Sequence, residues 1–442
     1  MASQTKKFEL LKGFQDFLPE RMIPRTEMID TIKRVYEKYG FMPQETPVLE
    51  YAALLMDKYG EDEKLVYKFN DNGGRSVAMR YDLTVPLSRV VAMNSNKLAF
   101  PYKRYQAGMV WRADKPQKGR FREFMQFDAD IVGAKSDFAD AEIIAMMQDT
   151  MEAFSGRYQV RMNNRLILNA LIRKVGKEGN EGKGILIAID KYDKIGLKGV
   201  RKQLKEHGFP TNLIKVITEY LNIQGDLNIV LKRLSEFFLG DKEGEEGIEN
   251  LKKVKEIVEK MGFNPKNLVI DPTIARGLNY YTGIIYETKL IDLPGFGSIC
   301  SGGRFDNLIS LSGKDCPAVG TSVGVDRLFA ALIELNKIKE VSTRTKVYIL
   351  NIDKDLLDEY ANIIGELRKA NIFTEFNYVT EGIGKQLKMV SKKRIPLVLL
   401  LGKDEDKLKE ITIKNMNSGK QKTISRKILI KELSKEIFAL QI

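Results

Sequence analysis

The sequence predicts an α+β fold in three parts: a body built on an antiparallel sheet flanked by helices (residues 1–156 and 271–337), a helical domain inserted into it (157–270), and a separate C-terminal α/β domain (344–442). Three observations carry this. Short β-like runs fill 79–133 and return at 268–302, helical apolar spacing dominates the stretch between them, and strand and helix patterns alternate after residue 344.

Along the chain, Met28, Ile29, Ile32, Val35 and Tyr36 fall on one helical face across 26–39, and Gly40 ends the pattern before a strand-like run at 41–49. The runs 102–111 and 121–132 flank a polar stretch, 114–119, and predict two antiparallel strands joined by a long loop. A helix at 139–154 follows. Within 157–270 the clearest helices are 165–175, 213–221 and 248–261, separated by glycine-containing breaks. Strand-like sequence returns at 268–290 and 297–302, and 323–335 reads as helical. The tail alternates strand 346–352, helix 355–370, strand 373–378, helix 383–393 and strand 396–401, which predicts a mostly parallel or mixed sheet.

The 442 residues, 43% of them hydrophobic, support several domains with buried cores. Cys300 and Cys316 are too few for a disulfide framework or a cysteine zinc site and suit a reducing compartment. The start MASQTKKFELL lacks the apolar core of a signal peptide, and the longest strongly apolar run, 395–401, is far short of a membrane span, so a cytoplasmic location and no membrane partner are expected. A single histidine, His207, in a polar stretch removes the central residue of Ser-His chemistry and of multi-histidine metal sites. The formal charge is +13, but its distribution matters more than its size. Residues 157–270 carry 22 basic against 15 acidic side chains and 341–442 carry 20 against 13, while everything else is nearly neutral. Two basic attachments on a neutral body are the pattern of an enzyme that works on a small molecule and holds a nucleic acid.

No GxxxxGK[ST] loop is present, and the near match to GxGxxG beginning at Gly295 has Cys300 in place of its last glycine. A nucleotide would be bound in another way. Arg112 follows an aromatic strand, Arg276 sits in ARGLNYY, and Arg327 opens a helix in VGTSVGVDRL. With Arg120 and Arg122 in the loop, these are the groups that would clamp a triphosphate during nucleotidyl transfer.

On these residues the chain resembles the class II aminoacyl-tRNA synthetases. Gly40, Phe41 and Pro47 are similar to motif 1, which implies a homodimer interface; MVWRADKPQKGRFREFMQFDADIVG (109–133) resembles motif 2, and VGTSVGVDRL (319–328) resembles motif 3. Within that class, GFQDFLP (13–19), RYDLT (80–84), QFDAD (126–130), RGLNYY (276–281) and SGGRFD (301–306) resemble the histidyl-tRNA synthetase family over nearly the whole length. The resemblance implies a class II catalytic body, an inserted helical domain and a C-terminal anticodon-binding domain. It implies activation of L-histidine with ATP, accompanied by Mg2+ on the phosphates rather than in a site fixed by protein alone, and transfer to histidine tRNA. Residue by residue, it implies that Asp82, Leu83, Thr84 and Gln126 surround the α-ammonium, and that Asp130 and Tyr281 hold the imidazole in a pocket lined by Tyr280. Arg112, Arg120, Phe121, Gln126 and Arg327 would bind ATP, with Arg112 on the α-phosphate, Arg327 on the γ-phosphate and Phe121 or its neighbourhood stacking on adenine. Arg276 would be the catalytic arginine beside the α-phosphate and the histidine carboxylate, and Arg112 and Arg327 share the catalytic role. Gln117 and Lys118 in the loop would meet the acceptor end, and Lys385 and Lys388, one face of a helix with Lys392, would meet the anticodon arm.

Each element alone has an ordinary explanation: an aromatic core pair, turn glycines, salt-bridged aspartates, a solvated lysine face. Their joint order across about 250 residues argues otherwise. Three departures stand out, since Asn279 replaces the usual Asp, Phe305 the usual Tyr, and Asp82 and Asp130 stand where some members have Glu. Two rivals share the body: the regulatory subunit of ATP phosphoribosyltransferase, which typically lacks the tail and loses arginines, and an RNA-binding sensor of uncharged tRNA, which would not need to hold ATP.

Overall fold

The structure is a computed structural model that describes residues 8–56, 58–117, 119–154, 156–177, 179–275, 280–311 and 314–440. Contacts divide the chain into two compact units: the N-terminal stretch to Gln15 with Met28–Ile338, and Asp16–Glu27 with Lys339–Ile442.

The first unit is organised by an eight-stranded sheet, in the spatial order Met42–Pro43, Tyr102–Trp111, Glu123–Val132, Ala318–Gly324, Ser298–Arg304, Ile284–Leu290, Tyr158–Asn164 and Leu268–Ile270. All central pairings are antiparallel, and only the two edge pairs are parallel. Directly opposed residues of antiparallel strands share a face. The register therefore carries one line of residues across four strands, from Arg104 to Asp130 to Gly320 to Gly303. Two residues along the strands, Gln106, Asp128, Ser322 and Ser301 form a parallel line on the same face. That face is polar. The other carries Tyr105, Phe127, Ala129 and Val319, and Phe127 stacks on Tyr105 at 5.5 Å and meets Tyr36 edge-on at 5.0 Å. Tyr36 belongs to the helix Pro19–Lys38, whose apolar stripe was legible in the sequence. The helix Asp137–Glu152 buries Ile143, Ile144 and Met147 and is capped by Ser136, whose side chain accepts from Phe138 N.

Helices do fill the inserted segment, but only between Arg165 and Lys260. Its two ends, expected within a helical domain at 157–270, are instead the sheet strands Tyr158–Asn164 and Leu268–Ile270, because buried Tyr158, Val160 and Met162 alternate along the first and pair it with both neighbours. The insert clusters with the body as one compact unit. A second difference lies at 323–335, where Val323 and Gly324 finish a strand and the helix begins at Val325. A three-stranded sheet, Leu49–Tyr51, Ser76–Met79 and Lys68–Asn70, leads into the helix Thr84–Asn94.

The second unit holds a mixed five-stranded sheet in the order Thr374–Phe376, Val347–Ile349, Leu397–Leu400, Glu410–Asn415, Gln421–Ser425, the first three parallel. The helices Leu357–Lys369 and Leu429–Ala439 bury Tyr360, Ile363, Leu367, Leu429 and Leu433 in one cluster with its strands. Among the described residues no helix is long and apolar enough to cross a membrane.

Candidate active site

The polar face of the large sheet concentrates charge where solvent does not reach. Arg104 is fully buried; its Nη2 lies 2.6 Å from Asp130 Oδ2 and donates to Leu83 O at 3.0 Å. Asp82 sits in the turn before the helix Thr84–Asn94, where its Oδ1 accepts from Val85 N at 2.9 Å and from Tyr59 OH at 3.1 Å. Gln126 Nε2 donates to Ser322 Oγ at 2.7 Å. Asp82 Oδ2, Asp128 Oδ1, Gln126 Oε1, Arg104 Nε and Arg104 Nη1 are buried without a hydrogen-bond partner among the described residues. Buried polar groups nearly always find partners, so such a concentration marks a place built to bind something polar.

Electrostatics give the sign of that ligand. Burial pushes Asp128 up to about 7 against the opposing pull of Arg104, and pushes Asp130 up to about 6, again opposed by Arg104. Burial also raises Asp82, with Val85 N and Arg112 pulling it back. Three buried carboxylates, two of them set against one fully buried guanidinium, favour a ligand that brings positive charge and hydrogen-bond donors.

Tyr280 and Tyr281 close this region, 5.0 Å apart edge to face, with Phe305 5.8 Å from Tyr280. Burial holds both phenols protonated, and Asp82 and Asp128 raise each of them further. Phe305 is buried in an apolar cluster with Leu87 and Ile309, so the missing hydroxyl at this departure is replaced by packing. The glycines have a steric reason. A Cβ at Gly320 would lie 1.9 Å from Asp130 Oδ1, and one at Gly303 would lie 3.0 Å from the Tyr281 ring. Only glycine lets the carboxylate and the ring sit against the sheet.

On the adjoining side, Arg112 lies 4.3 Å over the Tyr81 ring and 5.2 Å over Phe124, and donates through Nε to Tyr81 O at 3.0 Å. Phe124, not Phe121, is thus the aromatic of the hairpin beside the arginine, because it stands opposite Val110 near the strand end while Phe121 precedes the strand. Arg327 Nη1 donates to Ser298 O at 2.7 Å and Nε to Gly119 O at 3.2 Å, which ties the first turn of the helix Val325–Glu334 to the hairpin loop. In that loop Arg120 pairs with Asp114 at 2.6 Å, and Gln117 is exposed and bridges to Arg120. Arg122 N donates to Gly13 O at 2.8 Å, and a Cβ on Gly13 (φ +89°) would strike Pro116 and Arg122, so Gly13 is fitted closely against the loop.

Asp82, Leu83, Thr84, Gln126, Asp130, Tyr280 and Tyr281 are thus gathered about one buried polar region, with Arg112 near enough to act on Asp82. Arg120 and Arg327 lie around the loop beside it. Arg276, Asn279 and Lys118 lie outside the described residues. In the second unit, Lys385, Lys388 and Lys392 are all exposed on the helix Ile383–Lys393, whose opposite face buries Gln386 and Val390. Lys385 pairs with Glu381. Arg104, Asp128, Tyr59 and Ser322 escaped the sequence reading. The spacing Gln126, Asp128, Asp130 points to Asp128 as a third residue on the same strand face, whereas Arg104 and Ser322 needed the register.

Comparison with known proteins follows the same division. The family model described as histidyl-tRNA synthetase matches residues 13–328, and the model described as an anticodon binding domain matches 346–436. The chain is 40% identical over 437 residues to a histidine–tRNA ligase of Clostridium tetani, covering 98% of this chain and 99% of that one. It is 37% identical to a histidine–tRNA ligase of Cytophaga hutchinsonii, covering 94% and 97%. The crystal structure of histidyl-tRNA synthetase from Nostoc sp. PCC 7120 superposes with a TM-score of 0.85 at 31% identity, covering 97% of this chain and 99% of that one.

Proposed function

Because the chain belongs to the histidyl-tRNA synthetase family and carries its histidine–tRNA ligase function with ATP as substrate, we propose how the site described above divides the work. The observation that carries the proposal is the buried set of carboxylates with unpartnered oxygens on the polar face. Asp82 and Gln126, with Leu83 and Thr84 beside them, receive the α-ammonium of L-histidine. Asp130 and Tyr281 hold the two imidazole nitrogens, and Tyr280 walls the pocket. A carboxylate beside a hydroxyl offers one acceptor and one donor, and an isostere lacking either imidazole nitrogen leaves a buried polar group unpaired.

Arg112 and Arg276 hold the α-phosphate and the histidine carboxylate, with Arg327 and Arg120 on the outer phosphates. Magnesium enters on the β- and γ-phosphates as part of the nucleotide substrate. The carboxylate oxygen of histidine attacks the α-phosphorus, pyrophosphate leaves, and fixed guanidinium groups offset the charge on the pentacoordinate phosphorus without reorganising. The 3′-hydroxyl of tRNA then attacks the acyl carbon and releases AMP. Phe124, already flanking Arg112, is the better placed adenine-stacking ring than Phe121.

The catalytic body holds the large sheet, including its strands Tyr158–Asn164 and Leu268–Ile270, the insert is the helical stretch Arg165–Lys260, and the tail from 344 is the anticodon-binding domain. Gln117 and Lys118 meet the acceptor end, and Lys385 and Lys388 the anticodon arm. The edge strand Met42–Pro43, with exposed Met42, Val48 and Tyr51 nearby, supports a homodimer formed through motif 1. Free buried Cys300 and Cys316 fit a cytoplasmic location. The test is exchange of labelled pyrophosphate into ATP without tRNA, across all twenty amino acids. Exchange with histidine alone is expected; no exchange with any amino acid overturns the reading.

A further inference from the structure

The residues that lead into Arg276 are gripped from two directions. Arg161, on the strand Tyr158–Asn164 and on the polar face opposite Glu287, directs Nε to Asp271 Oδ2 at 2.6 Å and Nη2 to Thr273 Oγ1 at 3.0 Å. Its Nη1 reaches Asp193 Oδ2 at 2.9 Å, and Asp193 also pairs with Lys289 on the next strand. Asp193 is in the first turn of the helix Tyr192–Glu206 of the insert. Two residues on, fully buried Asn163 donates through Nδ2 to Ile274 O at 2.9 Å and lies 3.3 Å from the hydroxyl of Tyr220, on the insert helix Thr211–Leu221. Asp271 N donates to Met162 O at 2.8 Å, and Asp271 Oδ1 accepts from Thr273 N and Oγ1 at 2.9 and 2.6 Å. Every residue from 271 to 274 is thus bonded to the sheet or to its neighbour. Ala275, buried, is followed directly by Arg276.

We propose that Arg161 and Asn163 are positioning residues that couple the helical insert, through Asp193 and Tyr220, to residues 271–275, which precede Arg276 in the chain, so that the insert sets the rate of adenylate formation. This rests on the catalytic assignment of Arg276 made above. A planar guanidinium with partners in fixed directions passes on a displacement of any one of them, as a flexible ammonium would not. Asp193 has 48% of its side chain exposed, so its removal leaves Arg161 still neutralised by Asp271 and the fold intact.

The experiment uses full-length Asp193→Ala and Tyr220→Phe, each alone and combined with Arg276→Ala, in histidine-dependent pyrophosphate exchange. Coupling through packed networks typically amounts to a few-fold up to roughly 30-fold in rate. Each single variant is expected to lower kcat by about 3- to 20-fold while KM for ATP and histidine stays within about 2-fold, and Asp193→Glu is expected to recover part of the loss. In the Arg276→Ala background neither change lowers the residual rate further. Unchanged kcat in the single variants, or the same fractional loss with and without Arg276, overturns the coupling. Full exchange by Arg276→Ala itself overturns the assignment on which it rests, and the inference with it.

Discussion

Replacing Gly320 by alanine tests the pocket with one methyl group. The new Cβ would lie 1.9 Å from Asp130 Oδ1, 2.6 Å from its Cγ and 2.8 Å from Ala129 O. To regain an ordinary contact the carboxylate has to retreat about 1.5 Å, and because Ala129 O is backbone of the adjacent strand, the strands must also part slightly. A charge-assisted hydrogen bond to the imidazole stretched by that distance is lost, at about 1.5–3 kcal/mol, which is roughly a 10- to 150-fold rise in KM for histidine. Overpacking costs the fold about 1–3 kcal/mol, or roughly 2–8 °C in Tm. KM for ATP should move less than about 3-fold, since Arg112 and Arg327 hang on other contacts. Gly365→Ala, in a tail helix with open space around it, controls for substitution of glycine as such. Pyrophosphate exchange with histidine and ATP titrated separately, together with thermal melts, reads both effects. A lowered Tm with histidine KM within 2-fold of the parent refutes the role of Asp130; an unchanged Tm refutes the steric argument.

Asp128 is an acid whose folded-state value is raised to about 7, so its neutral form stabilises the fold at low pH and that contribution is lost as pH rises through about 7. The loss begins near the unfolded carboxyl's value of about 4 and is complete by about 7, so the margin by which Asp128→Asn melts above the parent should widen from pH 4 to pH 7 and level off beyond it; a margin that is the same at pH 4 and pH 8 contradicts the assignment. Arg112→Ala removes a guanidinium from the reacting phosphate and should lower kcat for exchange by about 100- to 1000-fold, with a wild-type melt; a loss confined to KM argues for binding alone. Lys385→Ala with Lys388→Ala should leave exchange untouched and raise KM for tRNA while flattening its dependence on salt by about two phosphate contacts. An unaltered salt slope places the RNA elsewhere.

Much of this was legible in the sequence for physical reasons. The hairpin at 102–132 was, because ten-residue strands rich in aromatic and β-branched residues enclose a loop of Pro, Gly and charge, and its observed strands, Tyr102–Trp111 and Glu123–Val132, fall within two residues of expectation. The helix 383–393 was placed to the residue. The tail strands Glu410–Asn415 and Gln421–Ser425 were missed, since each offers few apolar residues among lysines and polar side chains. The pocket was legible only along single strands. That Arg104 would neutralise Asp130, or that Gly320 would lie beneath its carboxylate, depends on pairing between residues far apart in the chain, which no local pattern encodes. Among the aromatics at and near Phe121, which one lies beside Arg112 depends for a related reason on where the strand begins.

The order of strands in the large sheet also bears on how the chain is made. Glu123–Val132 meets one neighbour as a hairpin, but its other neighbour, Ala318–Gly324, is translated about 190 residues later. At roughly 5–20 residues per second a ribosome takes about 10–40 seconds to deliver it. Throughout that interval a ten-residue strand carrying Asp128 and Asp130 has one open edge, and open edges recruit foreign strands. Yield in a host cell should therefore respond to elongation speed and to chaperones that shield nascent β-structure more than to the equilibrium stability of the finished protein. Changes that slow translation between codons 133 and 317 should lower soluble yield while leaving the melting temperature of the purified protein unchanged.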